Sequence, residues 1–348
     1  MRYRLLGPSG LRVSELALGT MTFGTAWGWG AEENECRRIV ERFAAAGGNF
    51  VDTASNYTDG ESERIVGALT AGDRDRWVIA TKYTLTLDRG DPNAGGNHRK
   101  SLVRSLERSL RNLRSDYVDL LWLHMRDSTT PIEELVRALD DQVRLGKVLY
   151  VGISDSPSWV VSRANAIAEL RGWSPFVAVQ VPYNAADRDP EREVLPMSAE
   201  LGLTVLPWGV LGAGLLTGRP PETLRWQEPI SERARAVLAA LHRIAEEAGC
   251  TPGQAAIAWL LGRRDPELVP IVGVRSAEQL DENLGALEVE LDESQVLALD
   301  AAGAPSLGFP RSFLESASVR ELIYGDTWEL LQPRYSGRAD ARDEAAAR

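Results

Sequence analysis

Eight short apolar runs alternate with stretches of helical length along this chain, and that alternation limits its fold more than any other feature. The runs are SELALGT (14–20), NFVDT (49–53), WVIATK (77–82), YVDLLWLH (117–124), VLYVGIS (148–154), FVAVQV (176–181), LTVLPW (203–208) and LVPIVG (268–273). Between them lie amphipathic patterns such as ENECRRIVERFAAA (33–46), HRKSLVRSLERSLRNL (98–113) and PIEELVRALDDQVRLG (131–146). Near-continuous apolar strands in β–α alternation predict a parallel sheet covered by helices. Eight units in about 270 residues fit a closed (β/α)₈ barrel better than a doubly wound sheet. No G-x-G-x-x-G follows the first run, which argues against a dinucleotide-binding doubly wound fold.

Around this core, residues 1–13 read as a two-strand hairpin about GPSG, placed to plug the barrel floor. The barrel spans 14–290, and a further helix (292–303) with an irregular segment fills 291–333. Residues 334–348 are polar and read as a disordered tail. One domain over 1–333 is expected, with no internal linker. Two cysteines, Cys36 and Cys250, form no metal-ligand spacing and no disulfide framework, which fits a cytoplasmic chain. A formal charge of −11 speaks against nucleic-acid and anionic-membrane partners. No run approaches the length that spans a bilayer.

In such barrels the active site gathers at the C-terminal strand ends. The second, third and fourth runs place Asp52, Lys82 and His124 there, with Tyr57 five residues beyond Asp52 in TASNYTDGES. Each alone has an ordinary reading: a loop cap, a solvated amine, a core histidine, a packed loop aromatic. Together at one mouth they are equipment for protonating a carbonyl oxygen. A phenol has a pKa near 10, and a neighbouring ammonium makes it a usable acid. The choice of Lys82 is pointed, because the chain has 36 arginines and three lysines.

NFVDTASNY, ATK and LLWLH resemble the Asp, Tyr, Lys and His signatures of the aldo-keto reductases, and the similarity runs from LALGTMTFG to QLDENLGAL. The resemblance points to the long-chain branch, bacterial and similar to potassium-channel β subunits. It implies an NADPH-dependent reductase of aldehydes, ketones or keto-sugars on a (β/α)₈ barrel, acting on a small-molecule carbonyl substrate. It further implies that Tyr57 is the general acid, Lys82 lowers its pKa, Asp52 pairs with Lys82, and His124 orients the carbonyl.

The same resemblance assigns the cofactor side. Ser154 and Gln180 match the carboxamide ligands, and Trp208 matches the aromatic that stacks on nicotinamide. The position after Ser154, commonly Asn, is Asp155 here. Gly209, Val210 and Leu211 stand where many relatives read Ser-Pro-Leu, and with Gly212, Gly214, Leu215 and Gly218 they form the expected pyrophosphate loop. Glycines there let backbone amides approach an anion. Gly19, Thr20 and Met21 match a turn that touches the nicotinamide ribose. Gly273 and Arg275 precede a helix whose N-terminus suits a 2′-phosphate, and Gln279, Glu282 and Asn283 match adenosine contacts. Trp27 and Trp29 either wall an apolar substrate pocket or pack their own loop.

Two rivals are open to the sequence and a third is disfavoured. A slow or non-catalytic NADPH-binding regulatory subunit would share the fold. A Schiff-base aldolase needs an uncharged Lys82, which Asp52 disfavours. A metal hydrolase lacks a histidine ligand pair. A homo-oligomer stays open.

Overall fold

The computed structural model describes residues 1–86, 88–219 and 229–331; the expected tail, 334–348, lies outside the described residues. Strands β1 (Tyr3–Leu5) and β2 (Arg12–Ser14) pair antiparallel as the expected hairpin. Eight further strands follow: β3 (Ala17–Gly19), β4 (Phe50–Asp52), β5 (Val78–Tyr83), β6 (Val118–Leu123), β7 (Val148–Ser154), β8 (Phe176–Pro182), β9 (Thr204–Trp208) and β10 (Ile271–Gly273). They form one parallel sheet in the order β10-β3-β4-β5-β6-β7-β8-β9. The ends meet where Val205 N–H donates to Glu267 O and Val269 N–H donates to Val205 O, each 2.9 Å. Those two bonds, made by the segment leading into β10, bridge the seam of a nearly closed barrel.

The helices are α1 (Glu33–Ala45), α2 (Glu61–Thr70), α3 (Arg99–Leu113), α4 (Ile132–Arg144), α5 (Ser158–Arg171), α6 (Val194–Glu200), α7 (Glu232–Ala248), α8 (Pro252–Leu261), α9 (Ala277–Leu284), α10 (Glu293–Ala302), α11 (Arg311–Leu314) and α12 (Ala317–Tyr324). Their caps follow from sequence: Thr251 with Gln254, and Asp292 with Gln295, close reciprocal capping boxes at α8 and α10.

Strand parity divides the core. Ile79, Leu121, Leu123, Val179 and Val205 pack outward under the helices. Phe50, Val78, Ala80, Leu120, Trp122, Ala178, Leu206 and Ile271 fill the barrel interior, joined from below by hairpin residues Leu6 and Val13. Side chains alternate faces along a strand, so the next inward positions are 52, 82, 124, 180 and 208. Those positions hold polar or aromatic groups. Beneath them the bulk of Trp122 is accommodated by Gly152, where a Cβ would sit 2.4 Å from the indole ring.

Candidate active site

Lys82 is fully buried and all three ammonium protons have partners. Nζ donates to Asp52 Oδ2 (2.5 Å), to Thr53 O (2.8 Å) and to Tyr57 Oη (3.1 Å). The other Asp52 oxygen, Oδ1, accepts from Gln180 Nε2 at 3.0 Å. Tyr57 reaches back because the chain turns sharply after it: Thr58 (φ 46) and Asp59 (φ 56) are both left-handed. Such backbone is costly for residues with a Cβ and persists where neighbours fix it. Thr58 Oγ1 donates to Phe23 O at 2.6 Å, and Glu61 Oε2 accepts the N–H groups of Thr25 (2.8 Å) and Ala26 (3.1 Å). The first βα loop is thus stapled to the Tyr57 turn. His124 lies edge-on to Tyr57, with ring centroids 6.1 Å apart and planes at 81°. The structure brings all four predicted residues together.

The electrostatics differ from the sequence expectation in one respect. Burial raises the Tyr57 pKa and outweighs the lowering by Lys82, so the phenol is held protonated. Burial opposes the Lys82 charge, yet Asp52 and Tyr57 win and the ammonium's pKa is raised. Burial, aided by Lys82, pushes His124 down to about 3, leaving a neutral imidazole whose Nδ1 is buried without a hydrogen-bond partner among the described residues.

On the facing side, β7 ends at Ser154, whose buried Oγ also lacks a partner among the described residues. Trp208 ends β9 and is 41% exposed, which leaves its indole open to the mouth. Its Nε1 donates to Asp155 Oδ1 at 3.1 Å, so Asp155 serves Trp208, a contact that sequence reasoning missed. The glycines 209, 212, 214 and 218 all take positive φ, which glycine adopts without steric cost. Leu211 and Leu215 are half-buried, while Val210 turns its side chain into the core. Gly19 lies beside Asp52 in register, and the N–H and Oγ1 of Thr20 both donate to Asp52 O (2.9 and 3.0 Å). Met21 follows, half-buried.

The start of α9, where the sequence expectation put the 2′-phosphate and adenosine, is less open than expected. At the start of α9, Ala277 N–H donates to Glu35 Oε1 (2.7 Å) and Gln279 N–H to Ser276 Oγ (3.3 Å). Gln279 Oε1 accepts the backbone N–H of Arg275 at 2.8 Å. Two first-turn amides of α9 are therefore already satisfied, one by a carboxylate, and the Arg275 side chain beside them is exposed. Glu282 pairs with Arg219 at 3.5 Å, Asn283 is buried in α9, and Gly273 ends β10. Trp27 and Trp29 pack against each other, centroids 5.7 Å apart, with Trp27 Nε1 donating to Asp59 at 3.4 Å. The C-terminal segment is held to the turn at Asp189–Arg192, where Arg192 Nε donates to Ser306 O (2.8 Å) and Arg311 to Glu191 O. Among the described residues no hydrogen bond joins it to the tetrad.

A buried Asp–Lys–Tyr relay with a neutral histidine, at the C-terminal mouth of a (β/α)₈ barrel, defines a class of oxidoreductase site. The family model for the aldo/keto reductase family matches residues 15–304. The chain belongs to that family. Norsolorinic acid reductase A of Aspergillus parasiticus is 38% identical over 347 residues, covering 94% of this chain and 89% of that protein. A norsolorinic acid reductase of Emericella nidulans is 40% identical over 326 residues, covering 90% and 84%. The NADP(+) aryl-alcohol dehydrogenase of Phanerodontia chrysosporium is 38% identical over 354 residues, covering 93% and 91%. These relatives are fungal reductases and dehydrogenases, which corrects the expected likeness to a bacterial, channel-β-subunit-like branch. No helix among the described residues is long and apolar enough to cross a membrane.

Proposed function

We propose that this protein interconverts an aryl carbonyl compound and its alcohol with NADP(H), using Tyr57 as the proton donor for reduction. The observation that carries the reading is the triply coordinated Lys82 Nζ, which touches both the Asp52 carboxylate and the Tyr57 hydroxyl. Relatives named aryl-alcohol dehydrogenases support an aromatic substrate, and the Trp27–Trp29 pair beside the Tyr57 turn offers it an aromatic wall.

NADPH, when bound, supplies the hydride to the carbonyl carbon. The unpartnered Ser154 Oγ and the side-chain oxygen of Gln180 fit its carboxamide, and Trp208 fits its ring. As negative charge grows on the substrate oxygen, the Tyr57 O–H donates its proton there, and a ring N–H of neutral His124 holds the same atom. The phenolate left behind lies 3.1 Å from the Lys82 ammonium, which is where its charge is stabilised. Asp52 keeps that ammonium in place and charged. The reverse sequence serves alcohol oxidation.

Tyr57→Phe leaves the fold and NADPH binding intact and lowers turnover by ~100-fold or more, the worth of a general acid. The assay is NADPH consumption across aryl aldehydes, aryl ketones, aliphatic aldehydes and keto-sugars. A variant that keeps most of its rate removes Tyr57 from the mechanism, and a clear preference for aliphatic or sugar substrates removes the aryl assignment.

A further inference from the structure

Asp155 stands just past the end of β7 with its backbone in the left-handed region, φ 43, and its N–H bonded to Gln180 O at 3.1 Å. From there its carboxylate reaches across the mouth to Trp208 Nε1. The groups around it are Ser154 on β7, Gln180 on β8, Trp208 on β9, Lys82 on β5 and Tyr57 after β4, and both Lys82 and Tyr57 feel its charge. The charges of the mouth can now be counted. Lys82 and Asp52 cancel in contact, His124 and Tyr57 are neutral, and Asp155 adds a negative charge for which no ion pair is present among the described residues.

We propose that Asp155 makes this site prefer the oxidised, cationic nicotinamide to the neutral, reduced one. The proposal rests on the reading that NADP(H) places its nicotinamide in this mouth. The two redox forms share adenosine, 2′-phosphate and pyrophosphate, and they differ by the positive charge of the oxidised ring. A carboxylate in the mouth that would receive the ring therefore enters the difference between the two affinities and largely cancels from everything else. Positioning Trp208 does not require the charge. Asparagine would offer the same Oδ1 to the indole and tolerates a left-handed φ well. The carboxylate is the part that needs a reason, and attraction to the oxidised ring supplies one. Its consequence is an on-enzyme equilibrium biased toward alcohol oxidation, with slower release of NADP⁺ after carbonyl reduction.

The test is an equilibrium titration of the full chain, followed by tryptophan fluorescence, with NADP⁺ and with NADPH. Asp155→Asn is expected to weaken NADP⁺ about tenfold, the scale of two unit charges interacting in a partly buried site, and to leave NADPH nearly unchanged. Asp155→Ala should weaken both, through a loosened Trp208, with the larger loss for NADP⁺. A second arm needs no variant. Burial holds the Asp155 pKa above the ordinary carboxylate value, so acidification neutralises it and the wild-type preference for NADP⁺ narrows as pH falls. Lys82 and Tyr57 keep their protons over that range, His124 stays neutral, and the 2′-phosphate titrates alike in both cofactors. Equal changes for both cofactors on Asp155→Asn, or a wild-type ratio indifferent to acid, overturn the proposal and leave the cofactor reading standing. Failure of the wild type to bind either cofactor overturns that reading and this one with it.

Discussion

Two buried charge clusters flank the upper rim of this barrel, and they are built from different cations. At the mouth, one lysine meets one carboxylate, one carbonyl and one phenol. Beyond β8, Arg188 is almost as completely buried, and its guanidinium donates to both Glu191 oxygens (2.7 and 2.9 Å) and to Asp300 O (2.8 Å). Arg263 joins at Asp300 Oδ1 (2.7 Å), Trp259 Nε1 at the same oxygen (3.2 Å), and Tyr183 Oη at Glu191 (2.6 Å). The arginine forks tie β8's exit, α8 and α10 into one piece. The lysine donates from a single atom to three acceptors and leaves one of them, the phenol, able to lose a proton. A chain with 36 arginines and three lysines keeps a lysine where a point charge is required.

The largest effect expected is structural and belongs to the arginine cluster. Arg188→Ala strands Glu191 and Asp300 with reduced pairing in a buried site, a loss of ~3–5 kcal/mol in unfolding free energy by the behaviour of broken buried ion pairs. Denaturant titration measures it. Turnover of the protein that stays folded should remain near wild type. A variant with wild-type stability and collapsed turnover would reverse the division of labour between the clusters.

The mouth should respond the other way. Lys82→Arg is expected to fold normally and lose ~100-fold or more in turnover. A planar fork prefers bidentate pairing with Asp52 and cannot reproduce three tetrahedral contacts, so the phenolate of Tyr57 loses its counter-charge. Lys82→Met should be at least as damaging. The pH–rate profile adds a check: with His124 down at about 3 and Tyr57 and Lys82 both raised, none of the three titrates near pH 6.5, the ordinary value for histidine. Reduction should therefore show no limb from His124 there, a result that His124→Gln leaves unaltered. Wild-type rates from Lys82→Arg would mean that any positive charge suffices.

How much of this was readable in the sequence follows from parity. Once the strands are placed, Phe50–Asp52, Val78–Ala80–Lys82 and Leu120–Trp122–His124 put three polar groups on one inner layer with no further information. The eightfold alternation and the terminal hairpin were legible for the same local reason. Contacts between loops were not. Nothing in SNYTDG announces two consecutive left-handed residues, and only the departure from asparagine marked Asp155, without revealing that it holds Trp208. The direction of the Tyr57 shift also needed coordinates, because burial is a tertiary quantity and here it exceeds the effect of the lysine. Likewise, the start of α9 looked like an open anion site until Glu35, far away in sequence, proved to occupy one of its amides.

That occupied helix end shapes the smallest of the expected effects. Unlike Arg188, Arg275 is exposed, and no carboxylate pairs with its guanidinium among the described residues. The amides of Ala277 and Gln279 are already bonded, the first of them to the carboxylate of Glu35. Discrimination between NADPH and NADH should then fall mainly on the Arg275 side chain, where a fork meeting a phosphate is a charge-assisted bond. Arg275→Ala is expected to weaken NADPH by about tenfold to about a hundredfold, the range for hydrogen bonds to charged groups, and to leave NADH almost unchanged. Side-by-side binding titrations of the two cofactors measure the difference. If both weaken equally, Arg275 supports the loop rather than the phosphate; if neither moves, the phosphate is bound elsewhere, and the crowded start of α9 is the structural reason.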